Sequence, residues 1–228
     1  MTEQDYLASY DPTAFEPLAV AVDVTLLTVA DGALQVLLVR RDEHPARGKL
    51  ALPGAFVGRD EALAAAARRA LRTKVGADFP ASQFETFGRV DRDPRMRIIS
   101  VGHLAVTPFE AASHLLDDTR QLARINGDAV RSSNGRKLAL PFDHGEIVTA
   151  ALRHLRAGLD HSFESFGLLP EEFSLRELQQ VHEAIRGEIV NKPAFRKRLI
   201  ESGKLEPTGR RETDKGFRPA ELYRVRTR

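Results

Sequence analysis

Residues 52–76 read LPGAFVGRDEALAAAARRALRTKVG, and the rest of the chain can be placed outward from them. Within this stretch, 60–74 hold no Gly or Pro and are rich in Ala, Leu and Arg, which predicts a helix. Asp60 stands where an N-cap acceptor belongs. Upstream, 18–29 and 33–39 are runs rich in Val, Leu and Thr on either side of Asp31-Gly32. That pair supplies the positive φ angles of a tight turn, so a β-hairpin is expected. Downstream, strands are expected around 84–90 and 97–107, split by the Asp-Pro turn of DRDPR. Segment 110–137 is polar and indistinct, with Asn134-Gly135 as a turn, and 146–159 predict an amphipathic helix. Residues 160–172, DHSFESFGLLPEE, read as a linker with aromatics to pack against something.

Beyond the linker the pattern changes. Ser174 and Glu177 have the spacing of a capping box, in which each side chain satisfies the other residue's free backbone N–H. The helix they open carries Leu175, Leu178, Val181 and Ile185 at three- and four-residue spacing and stops at Gly187. Pro193 suits the first turn of a second helix that runs to about Ser202, with Phe195, Leu199 and Ile200 facing the core. A hairpin of 205–208 and 221–225 follows, its tip reading RRETDKGFRP. Two short helices, a short turn and a hairpin make a winged helix-turn-helix.

Charge divides the chain at the same place. The 34 Lys+Arg and 32 Asp+Glu leave a net charge of only +2, but residues 191–228 carry +7 and residues 1–190 carry −5. A basic end on an acidic body implies two units with different partners. In a helix-turn-helix the second helix enters the DNA major groove. Lys192, Arg196, Lys197 and Arg198 on that helix, and Arg210, Arg211, Lys215 and Arg218 on the wing, are the candidate DNA contacts. With no cysteine, disulfides, thiolate zinc sites and Cys nucleophiles are excluded. The most apolar run, 18–30, is too short to cross a bilayer and contains Asp23. The start MTEQDYLASYD has neither a basic nor an apolar signal region, so no membrane association and a cytoplasmic location are expected.

The 52–76 stretch resembles the Nudix box. Glu61, Arg69, Leu71 and Gly76 match its pattern, and the leading Gly of the box aligns with Ala55. The acids that the family uses to hold a divalent metal fall on Ala70, Thr73 and Lys74, positions that share one face of a regular helix. The resemblance narrows to the Nudix-related transcriptional regulators of NAD metabolism through RDPRMRIISVGH (92–103), ALPFDHGEI (139–147), FSLRELQQVHEAIRG (173–187) and RPAELY (218–223). It implies an α+β chain: a Nudix-like α/β/α sandwich over 1–160 that binds an effector, then a DNA-binding winged helix-turn-helix over 161–228. It further implies a homodimeric repressor of NAD synthesis or salvage genes that reads double-stranded operator DNA and answers to ADP-ribose or a related nucleotide. No cofactor, no metal site and no catalytic residue are expected. A diphosphate effector needs basic donors, for which Arg41, Arg92, Arg95 and Arg97 are the candidates, with Phe56 against the adenine or ribose. His44 and His103 have no partners at metal-ligand spacing and read as structural. Two alternatives stay open: an active Mg-dependent hydrolase of ADP-ribose with a nucleic-acid-binding appendage, and a regulator that senses a sugar metabolite.

Overall fold

The structure, a computed structural model, describes residues 1–159, 164–212 and 219–226. A short helix α1 (Glu3–Ser9) and a 3-10 turn (Pro12–Ala14) precede the sheet, and no residue of 1–18 is buried. Strands β1 (Ala19–Ala30) and β2 (Ala33–Arg40) form the expected hairpin, with Asp31 at φ +51° and Gly32 at φ +66° in its two-residue turn. Two short strands follow, β3 (Leu50–Ala51) and β4 (Gly54–Phe56), and then helix α2 (Leu63–Ala70). Asp60 does not cap α2. Ala62 occupies the cap position, because a turn held by the Gly58 N–H on Glu61 Oε2 (3.0 Å) delays the helix to Leu63. After Ala70 the helix widens into a π-helical turn, Leu71–Val75, which Gly76 ends at φ +84°.

Strands β5 (Ala81–Phe87) and β6 (Ile98–Val106) pair antiparallel across the 88–97 loop. The 110–137 segment is more regular than its composition implies. After α3 (Phe109–Ser113) it folds as a hairpin of β7 (Arg120–Asn126) and β8 (Ala129–Arg131). Helix α4 (His144–Gly158) closes the unit. The strand order is β5-β6-β1-β2-β7-β8, with β1 and β6 parallel, β3 on β2 and β4 on β1. Alternation along β1 then builds the two faces of an α/β/α sandwich. Val22, Val24 and Leu26 pack under the small residues Ala66, Ala67 and Ala70 of α2, and Leu27 packs with Val36 and Leu38 under Ile147, Leu152 and Leu155 of α4.

A second 3-10 turn (Glu164–Leu168) leads to β9 (Phe173–Ser174), α5 (Leu175–Arg186), α6 (Lys192–Glu201), β10 (Leu205–Arg211) and β11 (Glu221–Val225). The three strands pair in the order β10-β11-β9. Both halves of the Ser174–Glu177 capping box form, and Gly187 ends α5 at φ +76°. Asn191 caps α6 by accepting the Ala194 N–H (3.1 Å), with Pro193 in the first turn. Ile200 departs from expectation: it is 60% exposed, because this short helix turns only Phe195 and Leu199, four residues apart, into the core. Arg210 and Arg211 lie on β10 rather than in the hairpin tip, while Lys215 and Arg218 fall outside the described residues.

The two units share one interior. A single apolar cluster runs from Leu27 and Leu38 of the sheet through Leu152 and Leu155 of α4 and Phe166 and Leu168 of the connecting turn. It continues to Leu178, Val181 and Ile185 of α5 and Phe195 of α6. Phe166 stacks on Phe173 at 6.2 Å, and Arg156 at the end of α4 donates from Nε to the Ile185 carbonyl at the end of α5 (2.8 Å).

Candidate functional site

A cavity of about 230 Å³ opens where β1, β2 and β4 meet the 88–97 loop and the start of α4. Asp23, the one charged residue in the apolar run 18–30, lies at its base. Its neighbour across the ladder is Gly54, where a Cβ would collide with the Asp23 carboxylate and the Val22 carbonyl, so only glycine lets β4 lie this close. Arg92, 4% exposed, braces this floor. Its guanidinium forks the Asp143 carboxylate at 2.8 and 2.6 Å and reaches Asp23 at 3.1 Å. Ser100 Oγ donates to Asp23 at 2.6 Å. His144 Nδ1 accepts the Leu52 N–H (2.9 Å), which leaves its proton on Nε2, 3.4 Å from Asp23. Burial pushes the His144 pKa down, against the opposing pull of Asp23 and Asp143, so the ring is neutral.

Above the floor, cations and rings alternate. The Arg95 guanidinium carbon sits 5.1 Å from the Phe56 ring centre and 6.0 Å from that of Phe142, and the Arg41 guanidinium carbon sits 5.1 Å from Phe142. Asp93 forks Arg95 (2.9 and 2.8 Å), while Arg41 Nε donates to the Pro45 carbonyl (2.8 Å). Phe142 holds φ +56°, a left-handed conformation costing a bulky residue on the order of 1–3 kcal/mol, and this turns its ring into the cavity. Lys74 lines the same space, its ammonium 3.8 Å from Asp42. Planar cations with spare N–H donors beside exposed rings suit a ligand that is flat at one end and anionic at the other.

Of the residues expected to bind ligand, Arg41, Phe56, Arg92 and Arg95 line this cavity together. Arg97 does not line it; its guanidinium donates to the Arg89 carbonyl (3.0 Å). Asp23, Asp143, His144 and Phe142 complete the site beyond these expectations. The lone acid in an apolar strand was the available signal for the first, and the Phe-Asp-His run of ALPFDHGEI for the others. His103 is buried, its Nδ1 3.0 Å from the Val101 carbonyl, and burial lowers its pKa. His44 is exposed.

The expected face of 70, 73 and 74 is also altered. Ala70 is fully buried in the α2–β1 interior, Thr73 bonds back to the Arg69 carbonyl (2.8 Å), and Lys74 lies within the widened turn. Glu61 is forked by Arg69 (2.7 and 2.7 Å), which also donates to the Phe56 carbonyl (2.8 Å). These hydrogen bonds hold the Glu61 pKa at about 2. A methyl, a self-bonded hydroxyl, an ammonium and one engaged carboxylate do not make an oxygen cage for a divalent cation. Among the described residues, no three His, Asp or Glu side chains gather in such an arrangement.

On the opposite unit, Lys192, Arg196, Lys197 and Arg198 are all exposed on α6. Arg198 lies over the Phe195 ring at 5.9 Å, and Lys197 is 3.9 Å from Glu201. Arg211 is exposed on β10, and Arg210 pairs with Glu172 at 3.0 Å.

A Nudix sandwich bearing a winged helix at its C-terminal side is the class these two units define. The NUDIX domain matches residues 17–123, and the NrtR DNA-binding winged helix domain matches 165–225. The chain is similar to the ADPR responsive transcriptional repressor NtrR of Acinetobacter baylyi, at 34% identity over 226 residues that span 98% of this chain and 88% of that protein. It superimposes on Shewanella oneidensis NrtR crystallised with a 27mer DNA with a TM-score of 0.79, at 31% identity over 91% of this chain and 93% of that one. The NUDIX domain of the same Shewanella protein, crystallised with ADP ribose, gives a TM-score of 0.52 at 32% identity, covering 68% of this chain and 99% of that one. The chain belongs to the NrtR family of Nudix-containing transcriptional regulators.

Proposed function

We propose that this chain is a cytoplasmic, homodimeric transcriptional repressor of NAD synthesis or salvage genes whose hold on operator DNA is set by ADP-ribose or a related nucleotide. What carries this reading is likeness over nearly the whole chain to a relative crystallised on DNA, whose Nudix domain has been crystallised with ADP ribose. Residues 1–160 form the effector unit and 161–228 the DNA-binding unit. In the cavity, Arg41 and Arg95 meet the diphosphate while Phe56 and Phe142 offer rings to the adenine. Arg92 fixes the floor, and Arg97 acts from outside the cavity. The ligand is bound and not cleaved, since Ala70, Thr73 and Lys74 replace the acids that would hold a metal and activate water.

Binding energy is then available to shift a conformational equilibrium. Helix α4 is the physical link: it starts in the cavity at His144, runs about 22 Å, and ends at Arg156 on the Ile185 carbonyl. On the DNA side, α6 enters the major groove with Lys192, Arg196, Lys197 and Arg198, while Arg210, Arg211, Lys215 and Arg218 of the wing follow the phosphates.

Fluorescence anisotropy on the protein's own upstream region, with and without ADP-ribose, tests the reading. Tight binding that an ADP-ribose titration changes, and that falls steeply with salt, is the expected result. Equal affinity for random duplex would overturn it. Magnesium-dependent release of AMP from ADP-ribose would favour the hydrolase, and a thermal shift with pentoses but not ADP-ribose would favour a sugar sensor.

A further inference from the structure

The first 18 residues are folded without being buried. Helix α1 has a complete capping box from Thr2 and Asp5, yet none of its residues is buried. Seven residues are too few to hold a helix alone, since isolated helices shorter than about 12–15 residues are marginal in water. Its apolar side chains are nevertheless organised. Tyr6 packs on Tyr10 at 5.9 Å and Tyr10 stacks on Phe15 at 6.4 Å, and with Leu7 and Leu18 they are between 47% and 65% exposed. The arm is also uniformly acidic: Glu3, Asp5, Asp11 and Glu16 are its charged side chains, and the first basic residue in the sequence is Arg40.

At the root of the arm lies an apolar groove lined by Leu18, Val20, Phe56, Val57 and Met96. Its two bordering segments continue into basic residues, Arg59 one residue past Gly58 and Arg97 one residue past Met96. Groove and arm are therefore complementary, apolar to apolar and basic to acidic. The arm of the same chain is tethered at the groove's rim through Leu18 and leaves it open.

We infer that the groove receives the arm of a second copy of this chain, and that mutual exchange of the two arms forms the dimer. An exchange of this kind is isologous, so each contact occurs twice. Half-exposed, the four arm side chains Tyr6, Leu7, Tyr10 and Phe15 offer on the order of 400 Å² per copy. Counted for both copies with the groove surface they cover, the total is on the order of 1,000 Å², the size at which specific interfaces begin. The inference rests on the reading of the chain as a two-fold repressor, and its test is run without DNA so that it can fail separately from operator binding.

Sedimentation equilibrium of the full chain should show a dimer. Tyr6→Ser/Tyr10→Ser/Phe15→Ser and Arg59→Glu/Met96→Glu should each weaken self-association by a hundredfold or more, with circular dichroism and ADP-ribose binding unchanged. Mixing the groove reversal with Glu3→Lys/Asp11→Lys/Glu16→Lys should restore a heterodimer, a result that misfolding could not produce. A monomeric wild type, variants that dimerise as tightly as wild type, or reversed pairs that fail to associate would each overturn the inference.

Discussion

The arginines of the cavity and those of α6 are the same side chain put to opposite uses. At the cavity, Arg92 and Arg95 are forked by Asp143 and Asp93, and on α2 Arg69 is forked by Glu61 in the same way. On α6, Arg196 is exposed, Lys197 is exposed beside Glu201 at 3.9 Å, and Arg198 is exposed over the Phe195 ring, on a helix whose buried face is reduced to Phe195 and Leu199. The acid excess of the first 190 residues supplies internal partners, and the basic excess of the remainder leaves cations for an external polyanion. An arginine becomes a brace or a reader according to whether the fold brings an acid to it.

Breaking the brace should have the largest effect. Arg92→Met strands the buried Asp143 and Asp23 carboxylates and should cost about 3–5 kcal/mol of stability in urea unfolding. A loss below ~1 kcal/mol would mean that water or another cation replaces it. On the reader side, Arg196→Ala and Arg198→Ala should each weaken operator binding by about 1–3 kcal/mol while leaving the melting temperature in place. Loss of both together would show that α6 arginines also brace the fold. Arg156→Ala joins the two regions: DNA and ADP-ribose should still bind, but the change in DNA affinity on adding ADP-ribose, about 1–3 kcal/mol for a typical coupling, should shrink towards zero. Ser174→Ala removes half of the α5 capping box and should cost about 1 kcal/mol.

The smallest effect concerns pH. His144 and His103 have their pKa values lowered by burial, so below about pH 6.5 the unfolded chain binds protons that the folded chain refuses. Stability should therefore fall as pH drops from 7 to 6, and an unchanged urea midpoint would show that both rings charge freely in the folded state.

How much of this was legible in the sequence depends on the range of each interaction. The β1–β2 turn, the α5 capping box and the Gly187 end of α5 are local, and each reads directly from a few neighbouring residues. The start of α2 does not, because Asp60 is a good cap whose place is decided by Glu61 reaching back to Gly58. The β7–β8 hairpin has its marker in Asn126-Gly127, but the flanking strands are polar because only one side of an edge hairpin is covered. The chemistry of Arg41, Phe56 and Arg95 follows from residue type, but the union of Asp23, Arg92 and Asp143 belongs to tertiary structure. Nothing in the sequence brings positions 69 and 51 residues apart to one point.

The shared interior between the two units has a mechanical consequence. Leu152, Phe166, Leu178 and Phe195 lie in one close-packed cluster, so a tilt of the winged helix against the sandwich requires small, discrete repacking of these side chains. In a two-fold assembly each copy's tilt is mirrored by its partner's, so the separation of the two recognition helices changes by twice the displacement of either. DNA offers successive major-groove faces only every ~34 Å, and against so rigid a ruler a modest doubled displacement is enough to put both helices out of step.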